Sequence, residues 1–148
     1  MMMAELQPIQ AEVLVPGTAG SGEALVLTAP ISFWGGVDPK TGNVADVRHP
    51  QCGENVAGKV LFVPGTIGSS SASAVLMELV HNGRAPTAIV LHEPDAILLL
   101  GLIVACEMGW QTPVAVKLDR SLHPQFDGFQ MEISQEGGMA ARNGEASS

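Results

Sequence analysis

Four serines and two glycines form the segment PGTIGSSSAS at 64–73, directly after the apolar run KVLFV. Glycines let a backbone approach a ligand closely, and hydroxyls can donate hydrogen bonds to a carboxylate or a phosphate. A loop between a strand and a helix also presents backbone N–H groups and the positive end of the helix dipole. We interpret this loop as a candidate anion site, in which one deprotonated serine can act as a base. Its candidate residues are Gly68, Ser69, Ser70 and Ser71.

The same loop composition is also typical of an ordinary helix start, because serine is a preferred N-cap residue. No lysine follows the glycines as in a P-loop, and the Gly-x-Gly pattern of dinucleotide-binding folds is absent after the strand. Nucleotide binding is therefore not expected. From the residues alone the loop is either an anion site or a simple cap.

Metal ligation by this chain is not predicted. His49 and Cys52 in HPQC are three residues apart, but a structural zinc site needs four ligands. An iron–sulfur cluster likewise needs more thiolates than Cys52 and Cys106, the two cysteines of the chain.

Other polar residues are weaker candidates for chemistry. His92, Glu93 and Asp95 follow the apolar run TAIVL, so we expect them at the same sheet edge as the serine loop. There they either line a cleft or cap the following helix. His81 and His123 are interpreted as solvated residues.

The second half of the chain alternates strand and helix patterns, which would position the serine loop. Apolar runs at 59–63, 87–91 and 113–118 are typical of buried strands. The segments 71–83 and 94–109 between them are typical of helices, each with a glycine at its end. This order predicts two βαβ units with right-handed crossovers and a parallel sheet.

The segment 94–109 is apolar nearly all round. We therefore expect this helix to be buried on both sides, by the sheet and by a second cover, with Cys106 as a small buried thiol. Its apolar stretch AILLLGLIVAC has eleven residues, against the roughly 20 that span a membrane. A transmembrane role is not expected.

The first half, roughly 11–58, is predicted to be β-rich. EVLVP and EALVLT are strand-type runs, and NVADV at 43–47 also alternates like a strand. DGFQMEIS at 127–134 is predicted to be a last strand. Residues 1–10 and the small, polar segment 137–148 carry little pattern, so both ends are expected to be loose. The prediction is a mixed α/β chain with one β/β/α domain at 1–136 and a flexible tail at 137–148.

Composition excludes several classes of function. A length of 148 residues indicates a single domain, and a hydrophobic content of 46% excludes global disorder. Fifteen acidic against seven basic side chains give a net charge of −8, which argues against nucleic acid and against anionic membrane surfaces. The start MMMAELQPIQ lacks the basic and apolar regions of a secretory signal, so a cytoplasmic location is expected.

Longer segments resemble a known family. PISFWGGVDPKTG at 30–42, the stretch HPQCG through EPDAI at 49–97, and GLIVACEMGWQTPVAV at 101–116 closely resemble the small subunit, or swivel domain, of aconitase X enzymes. The resemblance runs from about Gly17 to Val116. The segments SFWGGVDP and GSSSAS are its most specific parts.

This resemblance implies a swivelling β/β/α domain that caps a much larger catalytic subunit, whose cysteines hold an iron–sulfur cluster. In the wider aconitase superfamily, a serine of the Gly-Ser-Ser loop is the base in dehydration. Carried over residue by residue, this role falls on Ser69, and Gly68 and Ser70 complete the match. The arginine that follows in the superfamily is Ser71 here, so recognition of the substrate carboxylate is expected to involve the partner.

The resemblance also implies a reaction. Bacterial aconitase X proteins are similar to cis-3-hydroxy-L-proline dehydratases, which yield Δ1-pyrroline-2-carboxylate, and archaeal relatives are similar to mevalonate 5-phosphate dehydratases. The low lysine content favours the hydroxyproline reaction. Two alternatives are a capping module without a reacting group and a stand-alone anion-binding domain. An obligate partner should leave an exposed apolar patch, for which Phe33 and Trp34 are candidates, although both can be plain core.

Overall fold

Eight strands form one sheet in the computed structural model, which describes residues 5–142. The strands are β1 (Glu5–Gln10), β2 (Glu12–Val15), β3 (Gly20–Val26), β4 (Val60–Val63), β5 (Ala88–Leu91), β6 (Val114–Lys117), β7 (Gln130–Ile133) and β8 (Gly138–Arg142). Their order in the sheet is β1-β8-β7-β3-β4-β5-β6-β2. Strands β3 to β6 are parallel, and the remaining pairs are antiparallel.

Three helical segments connect the parallel strands. A short segment, α1 (Phe33–Gly36), follows β3 and is not regular, because Trp34 and Gly35 have non-helical backbone angles. The regular helices are α2 (Ala72–His81) between β4 and β5, and α3 (Ala96–Glu107) between β5 and β6. The two predicted βαβ units and the mixed α/β class are therefore confirmed. Two short 3₁₀ turns, Arg120–Leu122 and Pro124–Phe126, lead from β6 towards β7.

The parallel strands are buried on both faces, because helices cover one face and the curled sheet covers the other. All four residues of β4 and of β5 are buried. Leu61 and Val63 pack in the core that includes α2 and α3. Val60 and Phe62 point to the other side, where β7 and β8 contribute Met131 and other apolar side chains. Such two-sided burial explains why these strands are continuously apolar in sequence.

The sheet is nearly closed because its two edge strands are consecutive in the chain. β1 and β2 lie at opposite ends of the strand order, yet only Ala11 separates them. The Ala11 N–H donates to the Gly137 carbonyl at 2.9 Å, which ties this seam between the two edges to the start of β8. Gly137 has φ = +89°, and a Cβ there would overlap the Ala11 carbonyl oxygen. Glycine is therefore required at this seam by both its backbone angle and the close contact.

The expectation that both chain ends are loose is wrong for the residues that the structure describes. β1 occupies Glu5–Gln10, and Gly138–Arg142 forms β8 between β1 and β7. The small residues of β8 leave no apolar pattern to read, but Met139 and Ala141 are buried in the sheet interior. The sheet thus continues past the expected boundary at 136, and the rest of the predicted tail, 143–148, lies outside the described residues.

The strand predicted at 43–47 does not form. The segment makes only isolated bridges, in which Val44 pairs with Val37 and Asn43 pairs with Asn55. Val44 is buried, whereas Val47 is 85% exposed. The Asp46 carboxylate accepts from the Arg48 N–H at 2.9 Å, so a local turn ends the extended backbone.

Helix α3 is buried on one side only, which corrects the expectation of burial on both. Its inner face packs against α2, where Gly101 allows close approach because a Cβ there would lie 2.8 Å from the Ser73 carbonyl oxygen. Cys106 is exposed rather than buried. The outer face of α3 carries exposed apolar side chains, which are Ile97, Leu100, Ile103, Val104 and Met108. The second cover that the sequence predicted is not supplied by residues 5–142.

Candidate functional site

The serine loop lies at the carboxyl edge of the parallel strands, where it joins β4 to α2. Ser70 and Ser71 are exposed, and Ser69 is half-buried, so the loop is open to a partner or a ligand. The Ser69 hydroxyl oxygen accepts a hydrogen bond from the Ser71 N–H at 3.2 Å. The Ser69 carbonyl accepts from the Ala72 N–H at 3.1 Å. Ser69 is thus held at the positive end of the α2 dipole, which favours a negative charge on its oxygen.

The alternative that the serines merely cap α2 explains only part of this geometry. Ser71 occupies the N-cap position, but its side chain makes no capping hydrogen bond. The hydroxyl groups of Ser70 and Ser71 are exposed and remain open for contacts outside residues 5–142. Among residues 7–141 no lysine or arginine side chain donates to the loop, so the helix dipole is the positive field that these residues supply there.

Thr66 ties the serine loop to the start of α3. Its hydroxyl donates to Asp95 Oδ2 at 2.7 Å. Asp95 Oδ1 in turn accepts from the Ile97 and Leu98 N–H groups at 3.0 and 3.1 Å, which caps α3. The expectation that Asp95 shares an edge with the serine loop is therefore confirmed, and its role as a cap is confirmed as well.

A cavity of about 720 Å³ opens at the same carboxyl edge, beside the ends of β3 to β6. Its polar lining comes from residues that follow β5 and β6, among them His92, Asp119, Arg120 and His123. The His92 Nδ1 atom accepts from the Arg120 N–H at 3.0 Å and lies 3.8 Å from an Asp119 oxygen. Hydrogen bonds from Ser121 hold the pKa of Asp119 below its usual range. Pro64 also lines this cavity, whereas residues 68–71 do not.

His123 is deeply buried, so its interpretation as a solvated residue is wrong. Only 2% of it is exposed, and its Nε2–H donates to the Leu118 carbonyl at 2.9 Å. Its ring packs edge-on against Phe62, with 5.3 Å between centroids. Nδ1 has no hydrogen-bond partner within residues 5–142. Burial lowers the pKa of His123, because the charged imidazolium loses its water.

This lowered pKa predicts acid sensitivity of the fold. The unfolded chain binds a proton at His123 near the ordinary pKa of about 6.5, whereas the folded chain does so only at lower pH. Stability is therefore full above about pH 6.5 and falls as the pH drops through the folded pKa. Urea unfolding at a series of pH values should show this loss, and a His123→Gln variant should show a smaller one. The exposed His81→Gln variant is the control, and equal acid sensitivity in both variants would contradict the assignment to His123.

The candidate metal ligands of the described chain do not form a site. Within residues 5–142, no three His, Cys, Asp or Glu side chains are grouped as metal ligands would be. Both ring nitrogens of His49 are engaged, Nε2–H with the Ala29 carbonyl and Nδ1 with the Gln51 N–H, each at 3.0 Å. Cys52 and Cys106 are exposed and unpaired with each other. The described residues therefore do not fit an iron–sulfur cluster.

Phe33 and Trp34 were each predicted to belong either to the core or to a partner surface, and the structure places them differently. Phe33 is buried, whereas Trp34 is 59% exposed. Ile67, in the serine loop, is 57% exposed. The two segments are adjacent, because Ile31 pairs with Thr66 and accepts a hydrogen bond from the Ile67 N–H at 3.0 Å. Exposed apolar side chains thus lie on the same edge as Ser69.

Comparison with known proteins assigns the chain to a family. The family described as Aconitase X swivel domain matches residues 8–140, which is most of the chain. The chain belongs to this family. The named relatives of this aconitase X swivel domain include proteins of two kinds, and both kinds are named as dehydratases.

One relative is the cis-3-hydroxy-L-proline dehydratase of Pseudomonas aeruginosa. It is 50% identical over 110 residues, which cover 71% of this swivel domain but 19% of that protein. Another is the phosphomevalonate dehydratase small subunit of Methanopyrus kandleri, 44% identical over 98 residues, or 66% of this chain and 64% of the relative. The swivel domain therefore corresponds to about a fifth of the first relative and to somewhat under two thirds of the second.

The solved structures agree with this assignment. The crystal structure of Thermococcus kodakaraensis aconitase X superposes with a TM-score of 0.79 and 30% identity, covering 93% of the swivel domain and 98% of that chain. The predicted aconitase X fold is thereby confirmed. No helix among the described residues is both long and apolar enough to cross a membrane.

Two residues of this edge, Thr66 and Arg120, were not singled out from sequence, and His123 was interpreted only as a solvated residue. Thr66 stands within the serine loop, but its bond to Asp95 joins positions 29 residues apart, which spacing does not reveal. Arg120 and His123 line the cavity from 3₁₀ turns that carry no hydrophobic period. For the Thr66–Asp95 contact, the sequence offered one indication. Asp95 stands just before the apolar helix, a position typical of an N-cap.

Proposed function

We propose that this swivel domain is the small subunit of an aconitase X-type hydro-lyase, which dehydrates cis-3-hydroxy-L-proline to Δ1-pyrroline-2-carboxylate. The observation that carries the proposal is the open Gly68–Ser71 loop at the start of α2, in a chain 50% identical to a named dehydratase of that substrate. The proposal includes a large catalytic subunit, because the loop is open and residues 68–71 do not line the cavity beside it.

In the proposed reaction Ser69 removes the α-proton. Its deprotonated oxygen takes the proton, and the hydroxyl on the neighbouring carbon departs with the bonding electrons of the C–O bond. The resulting enamine tautomerises to the cyclic imine. Transfer of the proton from Ser69 to the departing hydroxyl gives water and restores the deprotonated serine. A free serine hydroxyl is too weak an acid to ionise at neutral pH, and the helix dipole supplies only about 0.3–2 kcal/mol towards this. Cationic groups of the large subunit supply the rest, since no lysine or arginine in the described range donates to the loop. Gly68, Ser70 and Ser71 bind the substrate carboxylate.

The large subunit covers the carboxyl edge in this proposal. Trp34 and Ile67 are exposed there, and buried aromatic anchors are common in the centres of protein interfaces. The large subunit also holds any iron–sulfur cluster, because residues 5–142 lack a group of ligands for one. The swivel domain then contributes the base and part of the carboxylate site.

A second candidate function is mevalonate 5-phosphate dehydration. It is favoured by the 44% identity to the Methanopyrus kandleri phosphomevalonate dehydratase small subunit and by the structural match to an archaeal aconitase X. The higher identity to the hydroxyproline enzyme decides our order of preference.

The proposal is tested by co-expressing the chain with the large subunit and assaying the purified complex on both substrates. We expect turnover of cis-3-hydroxy-L-proline, none of mevalonate 5-phosphate, and none with the chain alone. Iron analysis of the complex and of the separate subunits locates the cluster. Activity on mevalonate 5-phosphate alone would favour the second function. Ligand-induced stabilisation of the isolated chain would favour a stand-alone binding domain.

A further inference from the structure

We propose that Thr66 is a positioning residue for the reaction, which fixes Ser69 by clamping the serine loop to the cap of α3. The inference rests on the proposed function, since it concerns the placement of the proposed base. Its basis is the hydrogen bond from the Thr66 hydroxyl to Asp95 Oδ2 at 2.7 Å, between two half-buried side chains. Hydrogen bonds to an ionised carboxylate are about twice as strong as neutral ones.

Asp95 is a rigid anchor because both of its carboxylate oxygens are engaged. Oδ1 accepts from the Ile97 and Leu98 N–H groups at the first turn of α3. Oδ2 accepts from Thr66. The carboxylate therefore cannot rotate towards Thr66 or away from it without breaking the helix cap. A hydroxyl bonded to such a group is held in one place.

The backbone around Thr66 is held from the opposite side by the segment after β3. The Ile31 N–H donates to the Gly65 carbonyl at 3.2 Å, and the Ile67 N–H donates to the Ile31 carbonyl at 3.0 Å. The loop is therefore fixed at Thr66 from two sides, by the side-chain bond to Asp95 and by the flanking backbone bonds to Ile31. Ser69 is the next fixed residue, through its bonds to Ser71 and Ala72 at the start of α2.

Between these two points the hydrogen bond from the Ile67 N–H to the Ile31 carbonyl is a further restraint, and none is seen on Gly68 within the described residues. Ile67 is exposed, and a Cβ placed on Gly68 would meet no atom within 4 Å. Loss of the Thr66 anchor would therefore let this part of the loop move, and with it the Ser69 oxygen. A displacement of about 1 Å from a reactive geometry can lower a rate about 100-fold.

The test uses conservative variants of Thr66 in the complex with the large subunit. Thr66→Val keeps the shape of the side chain but removes the hydroxyl, so kcat should fall about 10- to 100-fold with KM changed little. Thr66→Ser restores the hydroxyl and should recover kcat to within about threefold. Retention of kcat in Thr66→Val, or failure of Thr66→Ser to restore it, would overturn the proposal.

Thr87→Val is the matched control. The Thr87 hydroxyl also bonds across the fold, to the Gly58 and Ser21 carbonyls at 3.1 and 3.2 Å, but it lies before β5 at the opposite edge of the sheet. Both valine variants should lower the melting temperature, whereas only Thr66→Val should lower kcat. An equal fall of kcat in the two would show a merely structural effect and overturn the positioning role.

Amide hydrogen exchange of the isolated chain gives a readout that does not depend on the substrate. Thr66→Val should accelerate exchange of the Ile67 and Ser71 amides, which are hydrogen-bonded in this segment, about fivefold or more, and Thr66→Ser and Thr87→Val should not. Unchanged exchange in Thr66→Val would overturn the clamp even if the enzyme is active. A different result would separate the two proposals. If exchange accelerates as expected but Ser69→Ala keeps full turnover, Thr66 does hold the loop in place, and the assignment of Ser69 as the base is wrong.

Discussion

Replacing Ser69 with alanine in the complex is expected to lower kcat by about 10²–10⁴-fold, the usual contribution of a general base. The substitution removes the oxygen that would take the α-proton. It also removes an acceptor for the Ser71 N–H, but that bond is on the open side of the loop and the N–H can be hydrated instead. Fold and association with the large subunit should therefore be retained, as size-exclusion chromatography of the variant complex would show.

Variants of the neighbouring serines distinguish a catalytic base from residues that only bind the substrate. Ser70→Ala and Ser71→Ala are expected to raise KM more than they lower kcat, because the proposal places both residues in carboxylate binding. Near-normal turnover by Ser69→Ala would exclude Ser69 as the base. If all three variants alter KM and none alters kcat, the swivel domain is a capping module that contributes no reacting group.

Replacing Gly137 with alanine is expected to be among the most damaging single changes to the fold. Gly137 has φ = +89°, which costs about 1–2 kcal/mol for a residue with a side chain. The added Cβ would also overlap the Ala11 carbonyl oxygen and press on Val13, at the seam that joins the two sheet edges. Together we expect a loss of about 2–5 kcal/mol of unfolding free energy, measured by urea denaturation.

Gly53→Ala is the control for that measurement. Gly53 has a similar φ of +95°, but a Cβ there would meet nothing within 4 Å. It should lose only the conformational part, about 1–2 kcal/mol. Equal losses in the two variants would mean that the seam adds nothing, and that the close contact at Ala11 relaxes freely.

The central part of the fold could be predicted because residue type, hydrophobic pattern and turn residues all indicate the same strands and helices. KVLFV and TAIVL are continuous apolar runs of strand length, and each is followed by a helix. Gly83 and Gly109, which both adopt a positive φ, follow the ends of these two helices. The right-handed crossover rule then leaves one arrangement of the βαβ units. The placement of the serine loop at the carboxyl edge follows from this arrangement rather than from the loop itself.

Errors arose where tertiary contacts override local pattern. Gly138–Arg142 pairs with two strands although its sequence, GMAAR, has little β-propensity. His123 is buried by Phe62 and by the turns after β6, which no spacing reveals. For α3 the sequence predicted a fully covered helix, and the exposure of its outer face is visible only once the sheet and α2 are in place.

The candidate site, like the fold, could be predicted from the sequence only in part. The serine loop was identified from its composition and the resemblance, and the structure leaves it open as the proposal requires. The Thr66–Asp95 bond and the cavity beside His92 depend on which loops the sheet brings together. Such contacts between distant segments carry no periodic signal in one sequence.

The pairing of the first strand with the last sets the order in which this chain can complete its fold during synthesis. Glu5 lies opposite Arg142 in the sheet, so β1 is made well before its partner β8 exists. The parallel strands β3 to β6 can assemble in the interval, since each finds its neighbour within a shorter stretch of chain. Closure of the sheet is therefore a late event with a large loop-closure entropy cost, and β1 must stay free of wrong partners until β8 has been made.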